Sequence, residues 1–347
     1  MLMYNPEFVE NPEYAYAVAR VRALETKLID GGSLVSLIDA PLDRFEASLA
    51  ELTGIDRSGP GDPKDPGDHR HTYRLLQRLE TRFTGVYRLV LSLLLDDTPK
   101  RLISLKYDYE LLKLLIKEAK GIELSVPETF SERSRNSYEG LKSMLEEGKV
   151  LDLGPGMYES YLWALEKKQI SGRQIDFRCD LAYYEELFGL VNLMKNDFIH
   201  NFFLREVDAN NILSALRLKL RGGKRGDVRG RYLPYGTIDA GYLEQVLDLT
   251  LEGFAQRIVF SPLSSVLLRV NRGRPEDEQA QELERLLDED IMRYLKESIF
   301  VTFGIEPVLA YLWMKEVELK DLRTILIAKY AKIAEPEIKR HVRGVHG

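Results

Sequence analysis

Apolar residues recur at spacings of three and four along most of this chain. Over 14–29 they form one stripe, Tyr14, Ala17, Val18, Val21, Leu24 and Leu28, the one-sided spacing of an amphipathic helix. Similar stripes predict helices over 73–95, 101–119, 157–167, 181–195, 205–220, 242–259, 280–300 and 307–331. Strand-like alternation is scarce, and 231–235 is too short to count. Glycine-rich breakers punctuate the pattern at 58–67 (SGPGDPKDPG), at Gly154-Pro155-Gly156 and at 221–231 (RGGKRGDVRGR), and a polar stretch over 271–277 separates two late helices. The pattern predicts an all-α fold.

Aligning Asp108, Asp208 and Glu318 reveals an internal repeat with offsets of 100 and 110. Four residues on stand Leu112, Ile212 and Leu322. Seven and eight on stand Leu115, Ala215, Ile325 and Ile116, Leu216, Leu326, which together trace one helix face. The match runs backward without a gap through Tyr107, Val207, Val317, then Ile103, Phe203, Trp313 and Leu102, Phe202, Leu312. It continues to Leu91, Val191, Val301 and Val90, Leu190, Phe300. A second acidic column, Glu80, Asp180 and Asp290, stands 28 residues before the first. Each copy also opens on a helix with a glutamate and a following leucine: Glu46 and Leu49, Glu159 and Leu162, Glu244 and Leu247. The spacing from there to the acids varies, as expected of surface loops between fixed helices. The expected organisation is three similar helical lobes, 1–125, 126–232 and 233–347.

Composition narrows the function. The 347 residues carry 49 Lys+Arg against 55 Asp+Glu, a net charge of −6, with 44% apolar and 30% charged content. That is enough for a real core and the wrong sign for a general nucleic-acid binder. The single cysteine, Cys179, excludes a disulfide scaffold or cysteine-rich zinc module and reads as a packing residue. The opening MLMYNPEFVENPEY lacks the basic stretch and apolar core of a signal peptide, so a cytoplasmic location is expected. Only 298–314 approaches a membrane span. Gly304, Glu306 and Pro307 interrupt it, and it reads as two buried helices meeting at a corner.

Chemistry is hard to find. There is no HExxH, CxxC, GxGxxG or phosphate-binding loop, and Gly222-Gly223-Lys224 is followed by Arg225 where Ser or Thr is needed. His69-Arg70-His71 lies near Asp62, Asp65 and Asp68, but a Gly/Pro loop lacks the rigid support that metal ligands require, so the segment reads as a solvated loop. No metal, no cofactor and no catalysis are expected. Threefold repetition argues against the acidic columns being a catalytic pair. Asp108, Asp208 and Glu318 share the apolar stripe, so each carboxylate must accept hydrogen bonds or meet a cation. With Glu80, Asp180 and Asp290 they read as structural anchors. Arg221, Lys224, Arg225, Arg229 and Arg231 stand against a lone Asp227, a set able to grip phosphate or carboxylate groups. No aromatic residue interleaves to stack bases, so nucleic acid is not the expected partner. The loop reads as solvated, and it is the best candidate for partner contact.

Four segments resemble the C-subunit family of V-type and A-type ATPases (ATP synthases), the prokaryotic counterpart of the eukaryotic d subunit. The stretch 315–329 (KEVELKDLRTILIAK) resembles the family's C-terminal signature, and Asp208-Ala-Asn-Asn-Ile212 its Asp-x-x-Asn-Ile motif. Tyr107-Asp-Tyr109 with Leu112-Lys113 resembles a first copy of that motif, and Tyr14-Ala-Tyr16 with Arg20-Val-Arg22 the opening helix. Leu111 and Asp321 depart from the pattern, standing where the central copy has Asn211. The resemblance implies a funnel-shaped, non-catalytic rotor subunit that couples a central shaft to a membrane ring of proteolipid subunits. It would transmit torque linking ATP to proton or sodium movement. Its partners would be the shaft subunits and the ring, and it would sit peripherally at the cytoplasmic face of the membrane. The residues alone also admit a helical-repeat scaffold for another protein partner, or a helical hydrolase with an unrecognised site.

Overall fold

The computed structural model describes residues 10–56, 69–122, 132–149 and 153–343. Every regular element among them is helical. Three helices lead in, α1 (Ala15–Glu25), α2 (Gly31–Asp39) and α3 (Leu42–Thr53). The framework is then three long hairpins at the repeat positions: α4 (His69–Leu93) with α5 (Asp97–Ala119), α8 (Gly172–Met194) with α9 (Asp197–Leu220), and α14 (Glu276–Lys296) with α15 (Glu306–Tyr330). Between the first two lie α6 (Tyr138–Glu146) and α7 (Pro155–Glu166). Between the last two lie α10 (Arg225–Arg229), α11 (Ala240–Glu244), α12 (Leu251–Arg257) and α13 (Leu263–Leu267), and α16 (Glu335–His341) follows.

Local chemistry sets the boundaries. Ser171 and Gln174 form a reciprocal capping box at α8, and Asn196 caps α9 by accepting from Ile199 N at 3.0 Å. Pro307 occupies the first turn of α15, where its missing N–H costs nothing. The single helix expected over 242–259 is broken. Gln245–Leu247 tightens into a 3₁₀ turn, and the Thr250 hydroxyl starts a new helix by accepting from Gly253 N at 3.2 Å. The stripe over 280–300 also ends early. After Lys296 the chain turns into a 3₁₀ segment, Glu297–Phe300, which leaves Ile299 and Phe300 exposed. The corner before α15 is therefore not two buried helices: its second half is buried and its first half is partly a surface turn.

The long helices do not pack mainly within their own hairpins. The second helix of each repeat lies most extensively on the first helix of the next: α5 on α8, α9 on α14, and α15 back on α4. The repeats thus interlock cyclically. Columns Leu112/Ile212/Leu322, Leu115/Ala215/Ile325 and Ile116/Leu216/Leu326 are all buried, as their spacing demands. One continuous core joins the α1–α9 region to α15, and a smaller one gathers the later half of α9, the short helices after it and the start of α14. Among the described residues no helix is long and apolar enough to cross a membrane.

Candidate functional site

The three second helices, α5, α9 and α15, face one another around a common space. Its floor is two layers of repeat-equivalent apolar residues: Leu102, Phe202, Leu312 and Ile103, Phe203, Trp313. Phe202 stacks on Trp313 with ring centroids 4.0 Å apart, and Phe203 meets the same indole edge-on at 5.5 Å, so the floor is stiff. One helical turn further along, the equivalent positions become Lys106, Glu206 and Glu316. The walls turn from apolar to charged over a few ångströms. A cavity of about 170 Å³ sits above the floor, and a second of about 410 Å³ adjoins it between α5, α8 and α9, with Arg173 and Arg231 on its wall. Together they form an axial concavity.

Its charges are partly matched. Lys106 and Glu316 form a direct ion pair between α5 and α15. Burial opposes the ammonium, but Glu316 overcomes it and holds Lys106 above its ordinary value. Burial would likewise raise Glu316, yet Lys106 and Lys320 outweigh it and hold that carboxyl low. Among the described residues Glu206 has no such partner. Burial pushes its carboxyl up, tempered by the more distant Lys106 and Lys320. Nothing here forms a nucleophile with a base, and no three metal-ligating side chains gather among the described residues.

The acidic column Asp108, Asp208 and Glu318 lies outside this space and ties one repeat to the next. Asp108, fully buried, accepts from Arg135 N at 2.9 Å, Arg135 Nε at 2.8 Å and the Ser134 hydroxyl, just before α6. Asp208 accepts from Thr237 N at 2.9 Å, Ile238 N at 3.1 Å and the Thr237 hydroxyl, just before α11. An added Cβ at Gly236 would come 2.1 Å from Asp208 Oδ1, so glycine there gives the carboxylate its room. Glu318 accepts from Ile29 N at 3.0 Å, just before α2, and pairs with Lys315 at 2.7 Å and Arg82 at 3.3 Å. Each acid therefore holds the chain entering a short helix of the following repeat, and the last returns to the first.

The other acids pair across the same seams. Asp180 of α8 meets Lys113 of α5 at 2.8 Å, and Glu80 of α4 meets Arg323 of α15 at 2.9 Å and Arg133 at 2.6 Å. Lys113 and Arg323 are equivalent positions, with Leu213 between them in the column. Lacking a cation there, Asp290 takes Arg205 at 2.9 Å and Arg293 instead. Asn211 and Asp321 are also related: each accepts a backbone N–H 22 residues on, from Leu233 at 2.9 Å and Arg343 at 3.0 Å, while Leu111 is buried and apolar.

The basic loop is more ordered than its glycines predict. Arg225–Arg229 forms α10, with Lys224 N donating to Asp227 at 2.9 Å. Arg225 pairs with Asp248 at 2.5 Å and Arg229 with Glu244 at 2.8 Å, Arg221 is exposed, and Arg231 borders the larger cavity. His71 is not in a solvated loop. It is buried in α4, bonds to Glu46 and Tyr330, and packs edge-on against the Tyr330 ring, because α15 covers that face of the helix. The breaker 58–67 and Asp68 lie outside the described residues. Cys179 is fully buried, and burial pushes its thiol up to about 12, which leaves it inert at neutral pH. The repeat alignment did not single out the axial charge layer, although Lys106, Glu206 and Glu316 stand two residues before the acidic column.

Comparison with known proteins points the same way along nearly the whole chain. The C subunit of the A-type ATP synthase of Methanocaldococcus jannaschii is 23% identical across 94% of this chain and 85% of its own length. That of Pyrococcus abyssi is also 23% identical, across 94% of this chain and 88% of its own. That of Thermococcus gammatolerans is 26% identical, across 90% and 85%. Residues 17–341 match the sequence profile described as ATP synthase (C/AC39) subunit. With an all-helical fold and that coverage, the chain belongs to the ATP synthase (C/AC39) subunit family.

Proposed function

We propose that this chain is a non-catalytic rotor subunit of a rotary ATPase, gripping the tip of the central shaft in its axial concavity and resting on the membrane proteolipid ring. The observation that carries the reading is the concavity itself, built by one helix from each repeat above a stiff aromatic floor. Torque transfer needs a wall that does not shear. Cyclic packing of each repeat on the next, with buried acids pinning every seam, supplies one. The three lobes then turn as a single body. A durable joint needs at least about 1,000 Å² of contact, so the shaft would cover the rim as well as the cavity. Among the described residues Arg221, Lys224 and Arg231 of the basic loop carry no ion pair and would guide docking, while Arg225 and Arg229 already have counter-ions.

The opposite end would face the membrane. There Asn196 Nδ2 of the second hairpin turn donates to Glu306 at the start of α15 at 2.8 Å, and Leu95 N of the first turn donates to the Tyr14 hydroxyl before α1 at 3.3 Å. Leu95, Leu193, Ile299 and Phe300 are exposed at these turns, with Asp96, Asp97 and Asp197 and also Lys195 and Lys296 exposed beside them. Exposed apolar side chains with charges of both signs suit docking onto a protein surface. Affinity isolation of the native assembly tests the reading. Shaft and ring subunits should co-purify with this chain, whereas consistent recovery of partners outside an ATPase would overturn it.

A further inference from the structure

Among the three axial charges only Glu206 is left over. Lys106 and Glu316 neutralise each other, and Asp288, on the rim of the smaller cavity, pairs with Arg343. Glu206 has no cation within ion-pair distance among the described residues, and its hydrogen bond, from the Tyr184 hydroxyl, is long at 3.4 Å. That hydroxyl is itself held by Asn210 at 3.2 Å. Lys320 faces the same space but forms no direct ion pair with Glu206. Glu206 also stands where the two cavities adjoin, since both are bordered by Lys106, Tyr183, Glu206 and Asn210. A half-buried carboxylate without an ion partner is poorly solvated and adds little to the isolated fold. It makes physical sense as half of a pair whose other half arrives from outside.

Resting on the rotor reading above, we propose that Glu206 receives a basic side chain, arginine or lysine, carried by the polypeptide segment that enters the axial concavity. The surroundings suit such a side chain better than a bare ion. A hard cation wants six or more oxygen ligands, and one carboxylate beside one amide falls far short. A long aliphatic stem can lie along Leu213 and Ile291 on the cavity wall while its charged head reaches Glu206. Docking would then exchange cavity water for a charge-assisted hydrogen bond in a partly desolvated place, where such bonds are strongest. The pair would also fix the angular position of the segment relative to the three non-identical walls. A rotor joint needs that registry so as not to slip.

The test compares wild type, Glu206→Gln and the exposed control Glu147→Gln in the full chain. Glu206→Gln should melt at the same or a higher temperature, because it removes a poorly solvated charge. It should bind recombinant central-shaft subunits of the same complex about 10- to 100-fold more weakly, with a shallower salt dependence. Glu147→Gln should behave as wild type in both measurements. Equal affinity and equal salt slope in Glu206→Gln would overturn the inference. If wild type itself ignores the shaft subunits, the rotor reading fails, and the decision passes to a thermal-shift assay with millimolar N-acetyl-arginine amide against N-acetyl-glutamine amide. Stabilisation of wild type by the arginine probe alone, absent in Glu206→Gln, supports the basic-side-chain site. Equal responses to both probes, or in both proteins, overturn it.

Discussion

Two of the seams between repeats are crossed by the polypeptide, while the third, α15 against α4, joins residues 236 apart in sequence through Arg82 and Glu318. The anchoring acid is satisfied differently from seam to seam: after α5, Asp108 pairs with Arg135 beside an amide and a hydroxyl. At the crossed seam after α9, Asp208 is satisfied by two backbone amides and a hydroxyl, with no cation among the described residues. At the closing seam Glu318 meets an amide, an arginine and the buried Lys315, and nearby Glu46, His71 and Tyr330 bond to one another. Lys329 also donates to the Ile38 carbonyl at 2.6 Å. Bringing distant segments together carries the larger loop-closure cost. Directional ionic contacts, expensive to desolvate, help to select one register there. The same repeat position thus performs one task, holding the next repeat's entry, by two means.

The largest effect is expected at the closing seam. Glu318→Ala leaves the Lys315 ammonium buried without a counter-ion and Ile29 N without an acceptor, and should cost about 3–5 kcal/mol in urea unfolding. Adding Lys315→Met to Glu318→Leu should recover most of that loss. A cost under about 1 kcal/mol for the single change would mean that buried ions do not hold this seam.

An intermediate effect is expected at the crossed seam. Asp208→Ala strands two amides, and Gly236→Ala drives a methyl into the carboxylate, each worth about 1–3 kcal/mol. Acidity sharpens the contrast. Burial holds the Asp208 carboxyl above its ordinary 3.8, with Thr237 and Ile238 opposing. A raised folded-state value gives a contribution fully present below 3.8 and lost as pH rises through the folded value. The cost of Asp208→Asn should therefore shrink as pH rises from about 4 to 7. A cost that grew with pH would show that the ionised form is the favoured one.

The smallest effect belongs to the surface side of a crossed seam. Lys113→Met breaks a pair whose Asp180 partner is 39% exposed, so a loss of about 0.5–1 kcal/mol is expected. A loss as large as that of Glu318→Ala would erase the distinction between the seams.

Much of this was legible in the chain, for physical reasons. Leu112, Ile212 and Leu322 announce themselves because burial of one helix face repeats every three or four residues whatever lies opposite. A carboxylate on that face must find donors, and Asp108, Asp208 and Glu318 accept from Arg135 N, Thr237 N and Ile29 N. Phe300 misled because an ungapped column presumes equal helix lengths, and α14 ends at Lys296. His71 misled because its partner Tyr330 is 259 residues away.

The sequence by itself determined the helical class, the threefold repeat and the positions that had to be buried, since periodicity and propensity are local properties. It did not contain the identity of the packing partners. Only the tertiary structure decided that each repeat lies on the next, that Glu318 closes the ring through Ile29, and that Lys106, Glu206 and Glu316 converge with one charge unmatched. Those outcomes depend on distances between residues a hundred or more apart along the chain. Coulombic and hydrogen-bond energies are set by separation in space, and no single stretch of sequence encodes that.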